Sequence, residues 1–297
     1  MVKVRVPAST SNLGSGFDCF GLALKMYLTV EMELSRGALE ISAVGEGSAE
    51  IPKDERNLIY QSAQKIFKKI GRPLPGLQIK IDNHIPLFRG LGSSGAATVA
   101  GLVGASQLCG ANLSDEEILN LANEIEGHPE NAAASLRGGL TINCVTDGWV
   151  LSKKIFVDEA LRAVMVIPEL KISTPEARTV LPQTVTRENA VFNLQRSALL
   201  AHSFITRDYT TLKTAMQDRL HQPYRKRLIP GYDAFETAGY RNGALGVCIS
   251  GSGSAILGVV ESAGQKLQRA WQSLADQLNV PAQVLITEFE NQGAEIS

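Results

Sequence analysis

Ile85-Pro86-Leu87-Phe88-Arg89-Gly90-Leu91-Gly92-Ser93-Ser94-Gly95-Ala96 is a glycine- and serine-rich loop that runs directly into an apolar, small-residue segment. Gly90 and Gly92 let backbone N–H groups approach an anion closely, and Ser93-Ser94 open a helix whose N-terminus carries unpaired donors and positive dipole. The stretch reads as a phosphate cradle. As a bare pattern, Gly90-x-Gly92-x-x-Gly95 also satisfies the dinucleotide fingerprint, and it lacks the lysine of a Walker loop. The dinucleotide reading needs a strand ending at the first glycine and an acid about 20 residues on. Here the strand-like Leu77 to Asp82 stops short of a Pro86-containing loop, and Asp115 and Glu116 open a helix, so that reading is disfavoured. A glycine turn that only lets helix 94–109 pack tightly is the remaining alternative.

The chain has 297 residues, 44% hydrophobic and 20% charged, with a net charge of −1. That length suits two domains, 1–158 and 159–297, each with room for a core. No basic excess points to nucleic acid, and no polybasic run points to a membrane surface. Met1 to Val6 alternates like a strand rather than a signal peptide, and no apolar run is long enough to span a bilayer. Cys19, Cys109, Cys144 and Cys248 lack metal-ligand spacing and read as reduced packing residues of a cytoplasmic protein.

A strand over 2–6 ends at Pro7 and leads into Ala8 to Gly21, a loop richer in Ser, Asn and Gly than a connection needs, with Asp18 amid apolar neighbours. Asn12 and Asp18 are either turn-formers or site residues. Strands follow at 22–34 and 38–45. Asn57 is a good N-cap for a helix over 58–70, and capping alone is enough to explain it, though a site role stays open. Ser114-Asp-Glu-Glu117 is a capping box that launches a helix over 118–126, with Glu124 flanking its buried stripe. Gly127-His128-Pro129-Glu130-Asn131 then gathers a His, an Asn and an acid beside a helix terminus, and for Glu126 and Glu130 a solvated helix end is the preferred reading. A Glu and a serine hydroxyl are the hard oxygen ligands that Mg2+ prefers. Strands at 140–145 and 149–156 close the first unit. The second reads as a strand at 163–168, a helix opened by Thr174-Pro175, long helices over 186–206 and 209–221, strands at 244–249 and 255–260 around Ser250 to Ser254, a helix over 262–278 and a strand at 282–288. This is a ferredoxin-like order with extra helices.

Pro7 to Asp18, Gly90 to Gly95, His128-Pro-Glu-Asn131 and Ile249 to Ser254 occur in the order and at about the distances seen in the GHMP kinase superfamily, which the chain resembles over essentially its whole length. The Asn-Leu-Gly-x-Gly-Phe-Asp opening and the His-x-x-Asn packet are similar to those of its homoserine branch. The resemblance implies an α+β, two-domain fold: an N-terminal α/β domain with a left-handed-type βαβ nucleotide site, and a C-terminal ferredoxin-like domain.

It further implies transfer of the ATP γ-phosphoryl group to the side-chain hydroxyl of L-homoserine. Pro86 to Ala96 and Asn57 would bind ATP. Ser94 and Glu124 would hold Mg2+, with Glu126 the competing ligand. Asp18 would take the substrate ammonium, and Arg178 and Arg225 would clamp its carboxylate, with Arg227 a rival for the second position. Asn12, His128, Asn131 and Thr174 would line the rest of the pocket. Where mevalonate- and galactokinase-like members carry an Asp, this chain has Asn131, which cannot act as a base at neutral pH, so Asn131 would orient the hydroxyl. A mevalonate- or shikimate-type kinase and a non-catalytic nucleotide sensor are the alternatives; for the former, whose substrates lack an ammonium, Asp18 has no explanation. A homodimer is the commonest association for such a chain.

Overall fold

The computed structural model describes residues 1–261 and 263–297. Strand β1 (Val2–Ser11) pairs antiparallel with the 16-residue β2 (Phe20–Ser35), and β3 (Glu40–Gly45) leads through helix α1 (Leu58–Lys69) to β4 (Gly76–Asn83). β3 and β4 are parallel neighbours, so α1 is the crossover of a βαβ unit. α2 (Ser93–Leu108), α3 (Asp115–Glu126) and α4 (Glu130–Arg137) follow, then the hairpin β5 (Leu140–Thr146) and β6 (Trp149–Ile155). β2 carries β4 along Leu28–Ser35 and β5 along Phe20–Leu22, which gives one curved sheet two extensions. α2 is buried on nearly all sides, as its small and apolar residues require.

β1 runs on past Pro7, where the sequence placed its end. The register with β2 shifts between Pro7 and Ala8, and a proline without an N–H is tolerated at such a bulge. Residues Ala8 to Ser11 are therefore strand rather than loop, which sets Ser11 in the lining of the site and buries Ser9 behind Asn131.

The second unit consists of β7 (Arg162–Pro168), α5 (Thr174–Thr179), α6 (Arg187–Thr206), the short α7 (Leu212–Ala215) and α8 (Gln222–Arg225), α9 (Tyr232–Arg241), β8 (Gly246–Ile249), β9 (Ile256–Val260), α10 (Gln265–Gln277) and β10 (Ala282–Glu288). Its sheet has the antiparallel order β10-β7-β9-β8, the ferredoxin-like arrangement. The start of α10 expected at 262 lies outside the described residues. The continuous helix expected over 209–221 is absent: only Leu212–Ala215 is helical there. The buried Asp218 carboxylate accepts the amides of Leu220 (2.9 Å), His221 (2.9 Å) and Gln222 (2.6 Å) and diverts the backbone from a helical path.

One face of the second sheet, with Val164, Val166, Ile256 and Val260, packs on α9 and α10 around Trp271, whose indole N–H donates to Phe235 O at 2.8 Å. The opposite face, with Ala163, Met165, Leu257 and Val259, belongs to the same apolar cluster as the first sheet. The chain then returns to its start: β11 (Glu295–Ile296) pairs with β1. All four cysteines are free. Cys248 is buried, but Cys144 is exposed on β5 and is not the packing residue expected.

Candidate active site

A cavity of about 690 Å³ lies where the two units meet. One wall is the N-terminus of α2. Gly90 and Gly92 hold left-handed φ values of 74° and 68°, and a Cβ on either would come within 2.1 Å of Ser250 O or Ser9 Oγ. Only glycine fits such a position. Gly92 offers no side-chain cap, and the first intrahelical bond is Ala96 N to Gly92 O at 2.9 Å. The amides ahead of it therefore have no helical acceptor, and Ser93, Ser94 and Gly95 line the cavity. Leu87, Phe88 and Leu91 line it too, whereas Pro86 and Ala96 do not. Arg89 turns away to the carbonyls of Leu87 and Glu169, at 3.2 and 2.5 Å. Asn57 lines the cavity, but its amide is spent locally: Oδ1 accepts the amides of Ile59 and Tyr60, and Nδ2 donates to Pro52 O.

The acid facing this helix start is Glu126 and not Glu124. Both Glu126 carboxylate oxygens accept from Ser94 Oγ, at 2.7 and 2.8 Å, and Oε1 also accepts from Thr98 Oγ1 at 2.6 Å. Glu124 is exposed and pairs with Lys65 of α1 at 2.9 Å. The reason is helical phase: Glu126 continues the stripe of buried Leu119 and Ala122 at i+7 and i+4, while Glu124 projects about 200° from Ala122 at 100° per residue. The cluster of one carboxylate with two hydroxyls is a hard-oxygen donor set.

Asn131 stands in the first turn of α4, a helix the sequence reading missed because Pro129 precedes it without a side-chain cap. Its amide is fixed at both ends: Oδ1 accepts from Ser9 Oγ (3.1 Å), and Nδ2 donates to Ser11 Oγ (3.0 Å) and Glu130 Oε1 (3.1 Å). Glu130 is buried and forms an ion pair with His128 at 3.2 Å, while its Oε2 makes no hydrogen bond. Neither it nor Glu126, held by Ser94 and Thr98, is the solvated helix-end acid that the sequence suggests. Burial opposes charge on His128, but the Glu130 carboxylate outweighs it and lifts the imidazole pKa above its ordinary 6.5. Burial likewise opposes ionisation of Glu130, and His128 more than offsets that, leaving its pKa below 4.5.

The far wall carries the charges. Asp18 and Arg178 pair through two hydrogen bonds, Nη2 to Oδ1 at 2.8 Å and Nη1 to Oδ2 at 3.1 Å. Arg225 is 2% exposed and lines the cavity, whereas Arg227 is exposed and does not. Burial and then the neighbouring Arg178 bring the Arg225 pKa down to about 10. Asn12, at φ 71°, holds the loop together: Oδ1 accepts from Asp18 N (3.0 Å) and Nδ2 donates to Gly251 O (2.9 Å). Thr174, at the start of α5, lines the same wall. The 250–254 turn closes on the loop, with Ser250 Oγ donating to Gly90 O at 2.7 Å and Ala255 N to Arg89 O at 3.0 Å. The cavity thus has an anion-binding end, a hard-oxygen cluster beside it, a fixed amide, and a charged end with one carboxylate and two guanidiniums.

The family model for the GHMP kinases N terminal domain matches residues 57–139, and that for GHMP kinases C terminal matches residues 198–277. The chain is 39% identical over 299 residues to a homoserine kinase of Desulfitobacterium hafniense, covering 100% of both. It is 46% identical over 259 residues to one of Caldanaerobacter subterraneus subsp. tengcongensis, covering 87% of this chain and 83% of the relative. The crystal structure of homoserine kinase from Cytophaga hutchinsonii superposes with a TM-score of 0.89 at 30% identity, over 100% of this chain and 97% of that one. A mevalonate kinase structure, at 17% identity and a TM-score of 0.69, shares the fold. The chain belongs to the homoserine kinase family of the GHMP kinases.

Proposed function

We propose that this enzyme transfers the γ-phosphoryl group of ATP to the side-chain hydroxyl of L-homoserine, forming O-phospho-L-homoserine for threonine biosynthesis. The observation that carries the reading is the facing of two chemistries across one cavity: the uncapped start of α2 opposite a carboxylate flanked by two guanidiniums. Asp18 takes the substrate ammonium, and Arg178 and Arg225 take its carboxylate; Thr174 and His128 enclose the chain between them. The zwitterion's two charges replace the Asp18–Arg178 pair, so neither partner is left uncompensated.

The amides of Ser93, Ser94 and Gly95 receive the nucleotide phosphates. Ser94 and Glu126, with Thr98 behind them, suit Mg2+, which usually takes one or two protein groups and completes its shell with phosphates and water. When bound, the ion neutralises phosphate charge. Asn131 orients the acceptor hydroxyl through its fixed amide. Phosphoryl transfer through a loose transition state depends mainly on positioning and charge stabilisation, so no strong general base is required. Incubation with ATP, Mg2+ and L-homoserine followed by phosphorus NMR should show a phosphomonoester of homoserine together with ADP. ADP with inorganic phosphate and no such ester would contradict the assignment.

A further inference from the structure

Arg225 is the enclosed member of the guanidinium pair, and the way it is held involves a residue to which the sequence reading gave no role. Its Nε donates to Ala177 O at 3.2 Å and its Nη1 to Gly251 O at 3.1 Å; Nη1 also lies 3.4 Å from Nδ1 of His221. The other nitrogen of that imidazole, Nε2, is 2.8 Å from Gly14 O. A carbonyl only accepts, so Nε2 carries the hydrogen and Nδ1 presents a lone pair to the guanidinium. His221 is fully buried, and burial holds its pKa below 6.5, which keeps the ring neutral. The ring stacks on Phe17 at 5.1 Å and 22°. The same Phe17 ring faces the guanidiniums of Arg225, at 5.2 Å, and of Arg178, at 5.6 Å. Asp218 fixes the backbone beneath by accepting the His221 amide. Among the described residues Nη2 of Arg225 makes no hydrogen bond, and Arg225 lines the cavity.

We propose that His221, as the Nε2–H tautomer, is a positioning residue for substrate recognition: its Nδ1 lone pair sets the plane of Arg225 so that the Nη2 edge meets the substrate carboxylate. The inference rests on the reading of Arg225 as a carboxylate clamp. A guanidinium gives its full value only when its planar fork is aligned, so losing this acceptor weakens binding more than it slows transfer at the remote hydroxyl.

Two substitutions separate positioning from packing. In His221→Asn, the amide oxygen can occupy the place of Nδ1 and keep the acceptor. In His221→Gln, the longer amide reaches toward Gly14 and gives that acceptor up. The Gln variant should raise the KM for L-homoserine about 10- to 100-fold, as for a lost hydrogen bond to a charged group, with kcat and the KM for ATP nearly unchanged. The Asn variant should stay within about fivefold of wild type in all three, because the acceptor persists. Equal KM rises in both, or a fall in kcat and Tm without a KM effect, would overturn the proposal. Arg225→Lys, measured in parallel, distinguishes the two layers. An unchanged homoserine KM there removes the clamp itself, whereas a raised KM there with a silent His221→Gln removes only the role of His221. Nitrogen NMR of the wild-type imidazole needs no substitution, and a signal showing Nδ1 protonated would contradict the proposal even if neither variant folds.

Discussion

Asn131 has no spare conformational freedom: Ser9 holds its oxygen, and Ser11 and Glu130 hold its nitrogen. If its task is to orient the hydroxyl, Asn131→Ala should lower kcat about 10- to 1000-fold, the range for a lost positioning or electrostatic contact, with the KM for ATP little changed. Steady-state kinetics decide this, and full turnover would remove the role. His221 gives a stability signature. Burial first, then Arg225, hold its pKa below 6.5 against the pull of Asp218. The unfolded chain therefore takes up a proton near pH 6.5 that the folded chain refuses, so stability is intact above that pH and falls as pH drops toward the folded pKa. Because His128, whose folded pKa is raised, contributes with the opposite sign over the same range, the His221 contribution is read as a difference: in urea unfolding from pH 7.5 to 5 the stability of wild type relative to His221→Gln should fall by up to about 1.4 kcal/mol per pH unit. Individual residue types were informative at the site, since Asp18, Arg178 and Arg225 all face one cavity. The sequence could not show that Asp18 and Arg178 pair with one another, because they are 160 residues apart.

The helix α3 carries two candidate acids two residues apart, and its phase decides between them. Glu126→Gln should reduce kcat by about 100-fold or more and shift the Mg2+ dependence, the scale of losing a group that balances transition-state charge. Glu124→Ala, which removes only the exposed pair with Lys65, should remain close to wild type, and the reverse pattern in a Mg2+ titration would contradict the assignment. Periodicity and the capping box made the helix legible, but an apolar stripe over 118–125 leaves flanking positions ambiguous until a neighbour such as Thr98 or Lys65 is known. Elements with strong local signals, such as α1 behind Asn57 and α5 opened by Thr174-Pro175, were readable for the same reason, although the Ser173 cap of α5 emerged only in the structure. Elements set by distant contacts were not. The segment 209–221 has helix-compatible residues, but Asp218, anchored by Asn193 at 2.7 Å, captures three backbone amides. Helix α4 has no cap to announce it.

The two sheets share an apolar core, and the uninterrupted apolar run of β7 already carried that information, because a strand buried on both faces does not alternate. The return of the C-terminus to β1 left no such trace, since Glu295–Ile296 is too short to read as a strand. One joint between the units at the site, beside the Asp18–Arg178 pair and the Asn12–Gly251 bond, is the contact of Gly90 with the 250–254 turn. Gly90→Ala would place a Cβ 2.1 Å from Ser250 O on a residue with φ 74°. It should cost about 1–3 kcal/mol in strain and raise the KM for both substrates, as followed by thermal unfolding and initial rates; an unchanged Tm would mean the units do not meet there as described. The central claim is that the charged end of the cavity selects a zwitterion. The most direct test is kcat/KM, from ADP release coupled to NADH oxidation, for L-homoserine against 4-hydroxybutyrate, its analogue without the amino group, with mevalonate and shikimate in parallel. The account predicts turnover with L-homoserine and a preference over 4-hydroxybutyrate of at least about 100-fold, because the analogue leaves Asp18 unpaired when its carboxylate draws Arg178 away. Comparable turnover of 4-hydroxybutyrate, or turnover of mevalonate or shikimate in place of homoserine, would contradict it.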